Sequence, residues 1–266
     1  MLKRLTSPLL LKICCVALCC QSIALAEDKW QESKSAHFVI YYKEAPSDFV
    51  ATVEEMAEGY FDKISDNMGI RYRNSWSFDK RAQIYIYDNQ KDYLASPSSL
   101  GWSSGITTPQ QKMIRTFPAA HGFFDTTLPH ELGHIIFREA VGFKAQVPLW
   151  FEEGIAMYQE QARRWGAHDT IRDAIDNKTF KTLKELSSVR PDNKTDPKTV
   201  ELFYAESASI VNYMIGELGE YRFRNFCDAL AKDTPFEWAL HQVYSRFDTI
   251  DDLNKSWMSF LQEKHE

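Results

Sequence analysis

The sequence predicts an α+β protein, with its strands and one long helix in the first half and helices in the second. Three observations carry that prediction. Short β-branched and aromatic runs end near residue 117, whereas beyond Asp125 apolar residues recur mainly at helical spacing. The 266 residues are 44% hydrophobic and 14% aromatic, enough for one sizeable core. Strands followed by helices, rather than strict alternation, is the order expected of α+β proteins.

The first 26 residues read as an address. Lys3 and Arg4 form a positive start, Ile13 to Leu25 is an apolar core, and Ala24-Leu25-Ala26 is a small-x-small cleavage pattern. The expected domain plan is therefore a cleaved signal peptide over 1–26 and one domain over 27–266. That domain divides into an N-terminal lobe of about 30–145 and a helical part of about 146–264. The apolar core is shorter than the ~20 residues of a spanning helix, which argues against a retained anchor. Leu18 and Cys19 before Cys20 argue against lipidation. The expected location is periplasmic or secreted, with no stable membrane span after cleavage. Four of the five cysteines leave with the signal, so Cys227 has no disulfide partner and reads as a small buried hydrophobe.

Within the domain, His37 to Tyr42 reads as a strand. Phe49, Val50, Val53, Met56, Ala57, Tyr60, Phe61 and Ile64 mark one face of a helix over 46–68, closed by Gly69. Ala82 to Tyr87 alternates as a second strand. Ser96 to Thr108, rich in Ser, Gly, Pro and Thr, reads as loop, and Lys112 to Phe117 as a third strand. Helices are then expected over about 126–141, 149–164, 169–176, 200–217, 220–231, 234–244 and 249–263, with Arg190 to Lys198 the clearest loop.

Composition excludes some functions. The chain carries a net charge of -6, and loss of Lys3, Arg4 and Lys12 with the signal takes it to -9. An acidic surface without a basic stripe does not suit nucleic acid, so no nucleic-acid partner is expected.

The informative segment is Pro129-His130-Glu131-Leu132-Gly133-His134. Histidines four apart on a helix project from one face, one turn apart, and two neutral imidazoles so placed can reach one Zn²⁺. Glu131, next to the first histidine, is placed to handle the proton of an activated water. Leu128, Leu132, Ile135, Ile136 and Ala140 give the helix an apolar side, with Asp125 or Thr127 as candidate caps. A catalytic zinc needs a third ligand, and Leu149 to Tyr158 is the obvious second helix to supply it. It holds adjacent acids, Glu152 and Glu153, which spacing alone does not separate. His121, His168 and His241 lack ligand spacing.

The two segments together, His130-Glu131-x-x-His134 and Trp150-x-x-Glu153-Gly154-x-Ala156, resemble the gluzincin zinc metallopeptidases, in particular the peptidase MA-like domain family. The strand at Phe38 to Tyr41, the helix bearing Tyr204 to Tyr213 and a closing helix around Leu253 to Trp257 are similar in kind. The resemblance implies a thermolysin-like pair of lobes with the zinc at the cleft floor. It implies His130, His134 and Glu153 as metal ligands, Glu131 as general base, and a later Tyr or His as oxyanion donor, for which Tyr204 is the candidate. The implied activity is hydrolysis of peptide bonds in a protein or peptide substrate.

Two family features are missing. Met157 stands where some gluzincins place an aspartate that orients a histidine ligand, and there is no Gly-x-Met-Glu-Asn segment for holding a free amino terminus. The second absence favours an endopeptidase. Met113 to Thr116, just before the zinc helix, is expected to be the edge strand that pairs with extended substrate. Two alternatives stand beside this reading: a non-catalytic metal-binding protein of the same fold acting as an envelope binding or assembly factor, and a hydrolase of another amide such as a cell-wall crosslink.

Overall fold

The structure, a computed structural model, describes residues 30–68, 76, 80–96, 105–118, 122–160 and 167–263. Its five strands form one mixed sheet, and all of them precede the main helical half, so the chain is α+β. In chain order the elements are β1 (Gln31–Lys34), β2 (Phe38–Tyr42), α1 (Ser47–Asn67), β3 (Ala82–Ile86), α2 (Gln90–Leu94), β4 (Gly105–Thr108) and β5 (Met113–Thr116). There follow α3 (Leu128–Val141), α4 (Leu149–Gln159), α5 (Ala167–Asp176), α6 (Leu183–Leu186), α7 (Pro197–Gly216), α8 (Glu220–Leu230), α9 (Phe236–Tyr244) and α10 (Ile250–Glu263).

The sheet runs β1-β2-β3-β5-β4, parallel at β2/β3 and β3/β5 and antiparallel at both edges. In β3 the alternation Ala82, Ile84, Ile86 is buried while Gln83 and Tyr85 are half-buried, the period of a strand with one face on the core. Phe38 and Ile40 of β2 share that core with Val53, Ala57, Phe61 and Ile64, one apolar face of α1. Phe61 and Trp76 pack ring against ring at 4.8 Å. The helical half closes around Trp150, Phe151, Phe226 and Phe236, with ring centroids 5.1–5.8 Å apart. Cys227 is buried there, and burial pushes its thiol well above the ordinary range, as an inert hydrophobe requires.

Three expectations need correction. The Ser96 to Thr108 loop contains β4: Gly-Ile-Thr-Thr has weak strand character alone, but an antiparallel ladder to β5 fixes it. In consequence β5 is an interior strand between β3 and β4, and β4 is the sheet edge nearest the zinc-motif helix. Neither Asp125 nor Thr127 caps α3. A π-helical turn, Phe123–Thr127, leads into it, so Thr127 is already in helical backbone geometry and the amides of Thr127 and Leu128 bond to the Gly122 and Phe123 carbonyls. The short helices α2 and α6 and the strand β1 have no counterpart in the sequence reading. Residues 1–26, Gly69, His121 and the His168 side chain lie outside the described residues. Among the described residues, no helix is long and apolar enough to cross a membrane.

Candidate metal centre

Two helices build the site. Pro129 sits in the first turn of α3, where its missing N–H costs nothing, and Leu128, Leu132, Ile135 and Phe137 are fully buried beneath it. The opposite helix, α4, is packed closely on two sides, each time through a glycine. A Cβ on Gly133 would lie 3.0 Å from Ala156 Cα, and one on Gly154 would lie 2.2 Å from the Ser207 carbonyl oxygen of α7. Glycine thus lets α4 sit between α3 and α7 at backbone distance, and Glu153 is carried toward the histidines.

The donor atoms converge. His130 Nε2 and His134 Nε2 are 3.2 Å apart, and each lies 3.5 Å from Glu153 Oε2. A tetrahedral site with bonds of ~2.0–2.1 Å has ligand atoms about 3.4 Å apart. A triangle of two imidazole nitrogens and one carboxylate oxygen, with edges of that length, fits a single zinc-sized cation in both shape and donor chemistry.

Glu152 is excluded from that triangle. The Arg138 guanidinium grips it through Nε to Oε1 at 2.9 Å and through Nη2 to Oε2, and Oε1 stands 3.8 Å from His134 Nδ1. The adjacent acids that spacing could not separate therefore divide their work. Glu153 faces the two histidines, and Glu152 ties Arg138 to the back of His134.

Sequence reasoning missed Glu160. It is 2% exposed, and His130 Nδ1 lies 2.8 Å from its Oε1. With Nδ1–H donating to Glu160, His130 keeps the lone pair of Nε2 on the donor triangle. The sequence signal was present but lay one turn beyond the place searched. Met157 is four residues after Glu153, whereas Glu160 is seven after it, again on the same side of the chain's helical path.

The electrostatics follow from this crowding. Burial opposes a charge on His130, but hydrogen bonds to Glu153 and Glu160 outweigh it and push the imidazole up to about 9. Burial likewise opposes charge on His134, and the negative Glu153, with Glu152, overrides it and raises that imidazole well above its usual value. Glu153 is held far below the ordinary carboxylate range: desolvation works against ionisation, but the charge of His134 and the hydrogen bonds of both histidines win. The cluster favours positive charge at its centre, from protons or from a metal cation in their place. Glu131 is 7% exposed beside it, and burial raises its carboxyl even against the pull of His130 and His134.

Two further residues named from the sequence can be placed. Tyr204 is half-buried on α7 with its ring edge-on to Phe203 at 5.4 Å, one turn before the Ser207 that Gly154 touches. His241 is a surface residue paired with Asp248 at 2.7 Å.

An α+β chain with a two-histidine, one-glutamate donor cluster across adjacent helices has the form of a metal-binding protein. The profile of the Peptidase MA superfamily matches residues 63–263, a span that contains every donor, and the chain belongs to that superfamily. No curated protein matches it. Among solved structures, native yeast LTA4 hydrolase is similar with a TM-score of 0.48 and 14% identity, covering 84% of this chain and 37% of that one. Yeast LTA4 hydrolase in complex with bestatin gives 0.47 and 14%, with the same coverages. This chain therefore spans 37% of the length of those structures.

Proposed function

We propose that this chain is an exported zinc metallopeptidase of gluzincin type, with a thermolysin-like cleft between a sheet-bearing and a helical lobe, cutting peptide bonds within a protein or peptide. The observation that carries the reading is the donor triangle of His130, His134 and Glu153, with the buried Glu131 beside it. Membership of the Peptidase MA superfamily supports it.

In this reading His130 and His134 supply imidazole nitrogens and Glu153 a carboxylate oxygen to the zinc. Zinc, when bound in such a site, supplies Lewis acidity toward a water and a substrate carbonyl. Glu131 accepts the proton of the attacking water and returns it to the leaving amine, the general acid–base work of a carboxyl whose affinity for a proton is raised. Glu160 fixes the ring of His130, and the Arg138–Glu152 pair backs His134. Tyr204 is the assigned oxyanion donor. The strand that pairs with an extended substrate is β4, because among the described residues its outer edge has no strand partner in the sheet.

The test is the zinc content and peptide hydrolysis of the purified protein, with Glu131→Gln, Glu153→Ala and Glu152→Ala beside it. Glu131→Gln should retain zinc and lose ~10²–10⁴ in kcat. Glu153→Ala should lose zinc, and Glu152→Ala should keep it. Hydrolysis that survives Glu131→Gln, or a wild type that takes up no zinc on reconstitution, overturns the reading. Amino-terminal sequencing of the exported protein checks cleavage after Ala26.

A further inference from the structure

Gly105, the first residue of β4, lies against the side chain of Glu131. A Cβ there would come 2.6 Å from Thr127 Cγ2, 3.2 Å from Glu131 Oε1 and 3.3 Å from Glu131 Cγ. Carbon atoms in good contact sit about 3.5–4.0 Å apart, so one methyl group has no room.

Backbone conformation gives no reason for glycine at this position. The glycines with positive φ among the described residues are Gly122, Gly142 and Gly219, and Gly105 is not one of them. Space is the reason. The strand cannot simply retreat either, because Gly105 is buried and paired with Thr116 across the β4/β5 ladder. Of the groups it meets, Thr127 is buried in the turn that leads into α3, whereas the Glu131 carboxylate is the end of a flexible side chain. An added methyl group would meet the Thr127 methyl first, at 2.6 Å, and would also press on Glu131 Oε1 and Cγ, which must give by a few tenths of an ångström.

We propose that Gly105 is a positioning residue for Glu131: the bare backbone at the start of β4 is a wall that sets where the carboxylate rests. The proposal rests on the reading of Glu131 as the proton acceptor. The same strand would then do two jobs with two sides. Its inner side fixes the base, and its outer edge receives the substrate backbone. A methyl group added on the inner side should disturb proton transfer and leave substrate binding alone.

The decisive variant is Gly105→Ala in the full chain. It should retain zinc, lose about 3–10-fold in kcat, since a base pushed by a few tenths of an ångström gives up part of the ~10²-fold that a 1 Å misplacement costs, and keep KM within about twofold. Adding Thr127→Ser removes only the methyl group behind the 2.6 Å contact. It should restore part of the lost melting temperature but not kcat, because the Glu131 contacts remain. Full recovery of kcat in that double variant, or wild-type kcat in Gly105→Ala, overturns the proposal.

A thermal-melting cycle with Glu131→Ala reads the same contact without activity and remains informative if Gly105→Ala folds poorly. Gly105→Ala should lower the melting temperature by ~4 °C or more in the wild-type background and clearly less where the Glu131 side chain is gone. Equal shifts in both backgrounds sink the idea. A wild type that binds zinc but hydrolyses nothing defeats the functional reading instead, and the melting cycle still decides the contact.

Discussion

Two glutamates on touching helices, one half-buried and one buried, meet opposite fates. Glu153 on α4 and Glu206 on α7 lie on either side of the close contact between Gly154 and Ser207. Glu153 has two imidazoles within 3.5 Å and stays ionised far below the normal range. Glu206 is 0% exposed, takes one hydrogen bond from the Lys181 amide to Oε1 at 2.8 Å, and leaves Oε2 buried without a partner. Burial pushes it up to about 8, an effect that the Lys181 amide bond and charge oppose and the negative Glu185 reinforces. Burial penalises both charges; only the neighbours differ. One region of this helix pair gathers imidazole and carboxylate donors at cation-ligating distances, and the other keeps a proton.

The largest test of that contrast is to remove the anion from the cation side. Glu153→Ala leaves His130 and His134 facing each other at 3.2 Å with no shared carboxylate. Loss of zinc from this variant, measured by elemental analysis against Glu152→Ala, is the expected result. Retention of zinc by Glu153→Ala would mean that the two acids are not divided in the way their distances indicate.

A smaller effect is expected behind the first ligand. Glu160→Gln keeps the size of the side chain and removes its charge, so the His130 Nδ1–H loses an anionic acceptor at 2.8 Å. Zinc affinity should fall about 10–100-fold, with kcat at saturating zinc much less affected. Competition with a chelator of known affinity measures it. Unchanged affinity would reduce Glu160 to a packing residue and leave the orientation of His130 to other contacts.

What the sequence disclosed and what it hid divide along the range of the interactions. His130, Glu131 and His134 were legible because one helical turn sets their geometry, and no distant residue is needed to see it. The helices of the second half were legible for the same reason. Glu153 was visible as a carboxylate in an apolar helix and the family resemblance pointed to it, but the physical reason it is free and Glu152 is not lies with Arg138, fourteen residues before Glu152 in sequence. Glu160 escaped because it stands just past the end of α4, where a search confined to the next turn meets Met157. β4 escaped because Gly105 to Thr108 becomes a strand only through its ladder to β5, and misreading it put the sheet edge on the wrong strand. Glu206 sits in an apolar run from Phe203 to Val211, and nothing in its neighbours reveals that it lacks a positive partner.

The smallest effect sharpens the comparison from the proton side. Glu206 holds its proton up to about 8 in the folded chain against an ordinary 4.5. Between those values the native state binds a proton that the unfolded chain releases, so raising pH across this window lowers stability. With relaxation of the buried pocket allowed for, the share due to Glu206 between pH 5 and 7 is about 1–2 kcal/mol. Glu206→Gln keeps an oxygen for the Lys181 amide and cannot ionise, so its stability should decline less over the same range. Urea midpoints of both proteins at pH 5, 6 and 7 measure this, and because the site histidines and glutamates titrate in both, the difference between the two curves isolates residue 206. Parallel curves would show that Glu206 finds a compensating partner in the folded chain, and the contrast with Glu153 would then be one of degree. Curves that diverge as pH rises, with the glutamine variant the more stable at pH 7, would establish that Glu206 keeps its proton in the folded chain while Glu153, on the touching helix, is held ionised by its imidazoles.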